Sequence, residues 1–210
     1  MNQGNHGRTQ FQVDRIAFFS DAIIAIAITL LVLEIKIPSV GQNTSWHDVR
    51  TVYTNKLLFP LLSLFFSFFI IGRLWMRHHE LFEHVINYNR LLIRYNLYFL
   101  FSIVLLPVST MFMMDKENPE TIRIIVYLSN LALCHLFFLV LLMVITKKEN
   151  QFFDPHGNDI IRKEKEDCIL FIVFLLITIL LFIIKPNWAP FSVIILLARR
   201  IFLRVKKLSK

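Results

Sequence analysis

Four stretches of this chain, residues 57–72, 97–114, 124–146 and 168–184, contain no Asp, Glu, Lys or Arg. A fifth, residues 16–33, carries a single charge, Asp21. A helix needs roughly 17–25 apolar residues to cross a hydrocarbon core about 30 Å thick. Inside that core the backbone must satisfy its own hydrogen bonds, so runs of this length read as transmembrane helices. The chain is therefore expected to be an all-α, polytopic membrane protein. Composition agrees: 56% of residues are apolar and 18% charged, against about 45–50% and about 25% in ordinary soluble domains. A soluble domain, a disordered chain and a secreted disulfide scaffold are excluded.

Six spans are expected, near residues 14–37, 57–79, 89–114, 119–146, 167–185 and 188–205, as one six-helix domain over 1–210. Pro38 closes the first, Pro60 lies near the outer end of the second, and Pro107 predicts a kink in the third. Asn118-Pro119-Glu120 reads as an N-cap residue followed by Pro at the first helical position. The sixth run is short, and Arg199, Arg200 and Arg204 interrupt its end; an interfacial helix is the alternative there. The polar start, residues 1–14, offers no signal-peptide core, so the first run is expected to stay in the mature protein.

The net charge of +8 would suggest nucleic acid in a soluble protein, but the basic residues flank the apolar runs as topology signals do. With six spans, 17 of the 23 Lys and Arg residues fall on the termini and even-numbered loops, and only Lys36, Arg50, Lys56, Lys116, Arg123 and Lys185 on the other side. The positive-inside rule then places both termini in the cytoplasm. The cluster within residues 199–210 is expected to set topology and to touch anionic lipid, not nucleic acid.

Asp21 is the informative residue of the first span. A carboxylate inside an apolar helix costs about 2.5–3.5 kcal/mol on insertion scales, so it faces protein or water and has a partner. It lies about 9 Å deeper than Arg15, but six residues turn the helix through about 240°, which makes Arg15 a poor direct partner. Better candidates at similar depth are His78, His79, Asn89, Arg90, Arg94 and Asn96.

The string Arg15-x-x-x-Phe19-Ser20-Asp21, followed by Ala25-Ile-Ala-Ile-Thr-Leu-Leu-Val-Leu-Glu-Ile35, resembles the first helix of potassium channels of the transmembrane-protein-175 type. Trp75-x-x-His78-His79, Asn96 and Leu106-Pro107 extend the similarity into the second and third spans. The resemblance implies a single-unit prokaryotic subunit that assembles as a homotetramer around a central pore in the bacterial cytoplasmic membrane. It implies that the first helix lines this pore, with Ile26 at the constriction, Leu30 and Leu33 as further rings and Thr29 beside them. It also implies that Arg15, Phe19, Ser20 and Asp21, with Trp75, His78, His79 and Asn96, brace that helix. Helix geometry agrees with such a split, because Ile26 lies about 140° around the helix from Asp21 and Ile26, Leu30 and Leu33 form one stripe.

Apolar rings can stop conduction by dewetting. No Thr-Val-Gly-Tyr-Gly string occurs, so a preference for K+ and larger alkali cations would come from the lower dehydration cost of a larger ion. K+ would be the permeant species, with no cofactor and no bound metal. The H-E-x-x-H metal motif fails, because His79 and His84 are five residues apart, and no catalytic constellation is present, so an enzyme is not expected. His135, midway through the fourth span, is expected to hydrogen-bond between helices. Two other classes compete: a proton-coupled secondary transporter titrating on Asp21, and a non-conducting scaffold. The transporter would be expected to show corresponding halves with Gly- or Pro-broken helices; none is evident.

Overall fold

The computed structural model describes residues 3–33, 35–39, 41, 45–154 and 158–192. Five long helices account for most of them: α1 (Gln3–Leu33), α2 (Trp46–Glu83), α3 (Arg90–Met114), α4 (Glu120–Thr146) and α5 (Asn158–Ile184). All five are long and apolar enough to cross a membrane. Short 3-10 turns follow α4 at Lys148–Asn150 and α5 at Pro186–Ser192. Most of the expected sixth span, and the basic cluster beyond it, lie outside the described residues.

Local sequence explains several of the boundaries. Ser45 caps α2 by accepting from the Asp48 amide at 3.2 Å, and its hydroxyl donates back to the Asp48 carboxylate at 2.8 Å. That reciprocal pair, with an acid in the first turn, starts the helix eleven residues before the apolar run does. Asn89 caps α3, its side-chain oxygen accepting from the amides of Leu91 and Leu92. The start of α4 corrects the sequence expectation by one position. Pro119 occupies the cap and makes no side-chain hydrogen bond, while the Asn118 amide donates to Asp115. Pro60 and Pro107 both lie inside continuous helices.

The interior is built around α3 and α4, which pack most extensively on each other. Leu92, Asn96, Phe99, Ile103, Leu106 and Thr110 of α3 are buried at alternating spacings of three and four, the period of a helix seam. Phe138, Leu141, Leu142 and Ile145 of α4 close against that stripe. On one side α1 packs on α3 and α2; on the other α5 packs on α4. The linkers after α2 and α4 are joined by an antiparallel bridge, Val85 to Phe153. Ile86 N–H donates to the Phe152 carbonyl at 2.8 Å and Asp154 N–H to that of His84 at 2.9 Å.

Candidate functional site

The heptad-like set Val13, Ser20, Ile24, Ala27 and Leu31 is the buried face of α1. At its polar end two chains of hydrogen bonds tie the helix down. The Trp75 indole N–H of α2 donates to the Asp21 carboxylate at 2.8 Å. One residue earlier, the Ser20 hydroxyl donates to the Ile16 carbonyl and accepts from the Asn96 amide of α3, each at 2.8 Å. The Asn96 side-chain oxygen in turn meets His78 Nε2 at 2.9 Å. That acceptor requires the proton on Nε2. His78 is fully buried, stacked between Phe82 and Phe99 at 4.3 and 5.4 Å.

Three helices therefore meet at Ser20, Asp21, Trp75, His78 and Asn96, five of the eight residues expected to brace α1. His79 joins them by stacking on Trp75, with ring centroids 5.7 Å apart, and faces Glu83 at 3.6 Å. Arg15 and Phe19 are not drawn in. The Arg15 side chain is exposed and, among the described residues, bonds Gln12 of its own helix at 3.5 Å. Phe19 is half-exposed beside Arg15, on the wall of a cavity of about 300 Å³ that also reaches Asn96. Of the partners weighed for Asp21 from depth alone, Asn89 caps α3 and Arg90 and Arg94 are exposed. The direct partner is Trp75, which was not among the candidates drawn from depth and entered only through the family resemblance.

The opposite face of α1 is largely uncovered by the described residues. Ile26 is 59% exposed, Leu33 76% and Leu30 37%. Thr29 is exposed too, its hydroxyl donating to the Ile26 carbonyl at 2.8 Å. Polar bracing and the bare apolar stripe thus occupy different sides of one helix.

Two further polar groupings escaped the sequence reading. Arg77, counted there only as a topology charge, is buried and pairs with Glu164 of α5. Its Nη2 donates to the Glu164 carbonyl at 3.3 Å and to the Cys168 sulfur at 3.0 Å, and the guanidinium lies 4.9 Å from the Phe138 ring centre. The i and i+4 positions of Glu164 and Cys168 were the available signal. Deeper in the bundle, the Ser67 hydroxyl meets those of Thr110 at 2.9 Å and Tyr127 at 3.0 Å, and the Asn130 amide donates to the Ser109 hydroxyl at 3.0 Å. His135 bonds the Leu131 carbonyl of its own helix, so the expected interhelical hydrogen bond is replaced by a ring contact with Phe171 at 4.4 Å.

A bundle of five helices, each long and apolar enough to cross a bilayer, has the form of a polytopic membrane protein. Residues 15–107, which carry the whole bracing cluster and the bare stripe, match the family model described as endosomal/lysosomal potassium channel TMEM175. A potassium channel of Streptomyces collinus is 30% identical over 145 residues, 67% of this chain and 68% of that protein. A potassium channel of Chryseobacterium sp. is 35% identical over 96 residues, 46% of each. A zebrafish relative, named an endosomal/lysosomal proton channel, is 31% identical over 125 residues, 56% of this chain and 23% of that protein. The chain thus spans from about a quarter to two thirds of these relatives' length. The solved structure of a TMEM175 homologue from Chamaesiphon minutus superposes with a TM-score of 0.68 at 23% identity, over 93% of this chain and 97% of that one. This chain belongs to the TMEM175 family, a family of ion channels and not of enzymes.

Proposed function

We propose that the protein is a subunit of a homotetrameric, potassium-selective cation channel of the bacterial cytoplasmic membrane, with six spans and both termini inside. The α1 helices of four copies line the pore, Ile26 forms the constriction and Leu30, Leu33 and Thr29 extend it. One observation carries the reading: a membrane helix fastened on one face leaves an apolar stripe, centred on Ile26, without a partner among the described residues. Two bacterial relatives named potassium channels supply the ion. A single copy of α1 cannot enclose an axis, so the reading needs several copies. Fourfold closure brings one Ile26 from each, and such a ring passes ions only when it is wet.

Ser20, Asp21, Trp75, His78, His79 and Asn96 act as positioning residues: they set the rotation of α1, and therefore which residues reach the axis. The vertebrate relatives' description as proton channels favours a second reading, in which protons also pass.

The test is the reversal potential of purified protein in a planar bilayer, with potassium on one side and sodium on the other. The expected current reverses toward the potassium equilibrium potential, and Ile26→Ala raises conductance while moving the reversal potential toward zero. A silent but tetrameric, folded protein would refute the channel reading. A current reversing with an imposed pH gradient in the absence of alkali cations would establish the proton reading.

A further inference from the structure

At the end of the bundle remote from Trp75, the linker after α1, the first half of α2 and the end of α3 enclose a cavity of about 680 Å³. Its walls are of two kinds. Ile37, Pro38, Pro60, Met111, Phe112 and Met114 form an apolar interior, and Lys36, Lys56 and Lys116 stand around it with one acid, Asp115, among the described lining residues. Only six Lys or Arg residues are assigned to this side of the membrane from the sequence, and three of them line this one cavity.

Asp115 offsets part of that charge, one carboxylate against three ammonium groups, and Lys36 is close enough to help keep it ionised. One Asp115 oxygen accepts from the Glu117 amide at 3.0 Å and the other from the Asn118 side chain at 2.8 Å, so both are committed to the turn between α3 and α4. Those two contacts, the Glu117 amide foremost, hold the Asp115 carboxyl below the usual carboxylate range. Behind the wall Arg123 donates to the Met113 carbonyl at 2.9 Å, adding a further cation near the site.

A cavity with an apolar interior, three ammonium groups and an opening at the end of transmembrane helices is complementary to an amphiphile with an anionic head. We propose that it binds an anionic phospholipid of the adjacent leaflet, with Lys36, Lys56 and Lys116 around the phosphate and the acyl chain origin against Phe112, Met111 and Pro60. The size is within the range of ligand sites, about 300–1,000 Å³. A zwitterionic lipid brings its own cation to the lysines and gains less. A free phosphate ion lacks the apolar part.

The experiment is thermal unfolding of the purified full chain in neutral detergent, titrated with short-chain phosphatidylglycerol, short-chain phosphatidylcholine or inorganic phosphate. Phosphatidylglycerol is expected to give a saturable rise in the midpoint that the other two do not. The K36Q/K56Q/K116Q variant should show that rise only at lipid concentrations on the order of a hundredfold higher, since each lysine near an anionic headgroup contributes about fivefold. The K36R/K56R/K116R variant should restore it. All three lysines are exposed, so the variants should fold, and their midpoints without lipid check this. An undiminished response in the Gln variant, or equal stabilisation by phosphatidylcholine, would overturn the proposal. Reproduction of the shift by inorganic phosphate would assign a soluble anion, and a lipid-independent change in oligomeric mass would assign the cavity to a neighbouring copy; either would also overturn it.

Discussion

Helices α1 and α3 look alike as sequence and behave differently as structure. Both are apolar spans of 24–25 residues, yet 22% of the most apolar stretch of α1 is buried and 44% of that of α3. Each presents a buried stripe at helical spacing, from Ser20 to Leu31 in α1 and from Leu92 to Thr110 in α3 at gaps of three and four. The α3 stripe continues on its flanks into Leu100, Ser102 and Ser109, whereas α1 beside its stripe shows Phe18, Ile26, Val32 and Leu33 to the outside. Hydrophobic surface gives little reason for helices to associate within lipid, where tails are as apolar as leucine; packing and interhelical hydrogen bonds do so instead. Both helices combine packing with hydrogen bonds, but α3 is covered on more of its circumference, while α1 is buried along one stripe, Val13, Ile24, Ala27 and Leu31, with its interhelical polar contacts gathered at Ser20 and Asp21.

That contrast can be broken most severely at the link that fastens α2 to α5. Arg77→Ala leaves Glu164 half-buried without its cation, a loss of about 3–5 kcal/mol for a buried pair. The midpoint of detergent unfolding should fall accordingly, and adding Glu164→Gln should recover part of it. Next is Asn96→Ala, which strands Ser20 and His78 at once. Two buried hydrogen bonds are lost, about 1–3 kcal/mol. If α1 is held mainly by this network, protease access to α1 should rise while α3 and α4 stay protected; equal exposure of all three would remove the distinction.

Trp75→Phe should be milder, about 0.5–1.5 kcal/mol or less, because its bond to Asp21 is partly exposed. Ile26→Ala should leave the midpoint of the dissociated subunit almost unchanged, since the side chain is mostly exposed among the described residues, and act on conduction instead. The smallest effect is at Asp115. Its folded carboxyl is held below the usual range by the Glu117 amide and the Asn118 side chain. It therefore stabilises above the ordinary carboxylate range and ceases to as pH falls through the lowered value. The difference in midpoint between the natural protein and Asp115→Ala should be largest at neutral pH and vanish in strong acid.

The legibility of the sequence varied by residue type. Asp21 is legible because a charge in an apolar run demands a partner, His78 and Asn96 follow from their depth as well as from resemblance to a family motif, and Ser20 and Trp75 from that resemblance alone. Arg77 was visible but misread: a cation near a helix end looks the same whether it sets topology or pairs inside the bundle. Ser67, Thr110, Tyr127 and Asn130 gave no sign at all. Hydroxyls and amides cost little in an apolar run, and their partners lie 21 to 60 residues away.

Alone, the sequence determined the membrane class, the five helices that the structure describes and the spacing that sets Asp21 and Ile26 on different faces of α1. Those follow from local quantities: run length against bilayer thickness, and about 100° of turn per residue. Only the tertiary structure decided which faces are covered, that Trp75 and not a charged residue meets Asp21, and that Arg77 reaches Glu164. Those depend on which helices become neighbours, which a helical repeat read along one segment does not encode.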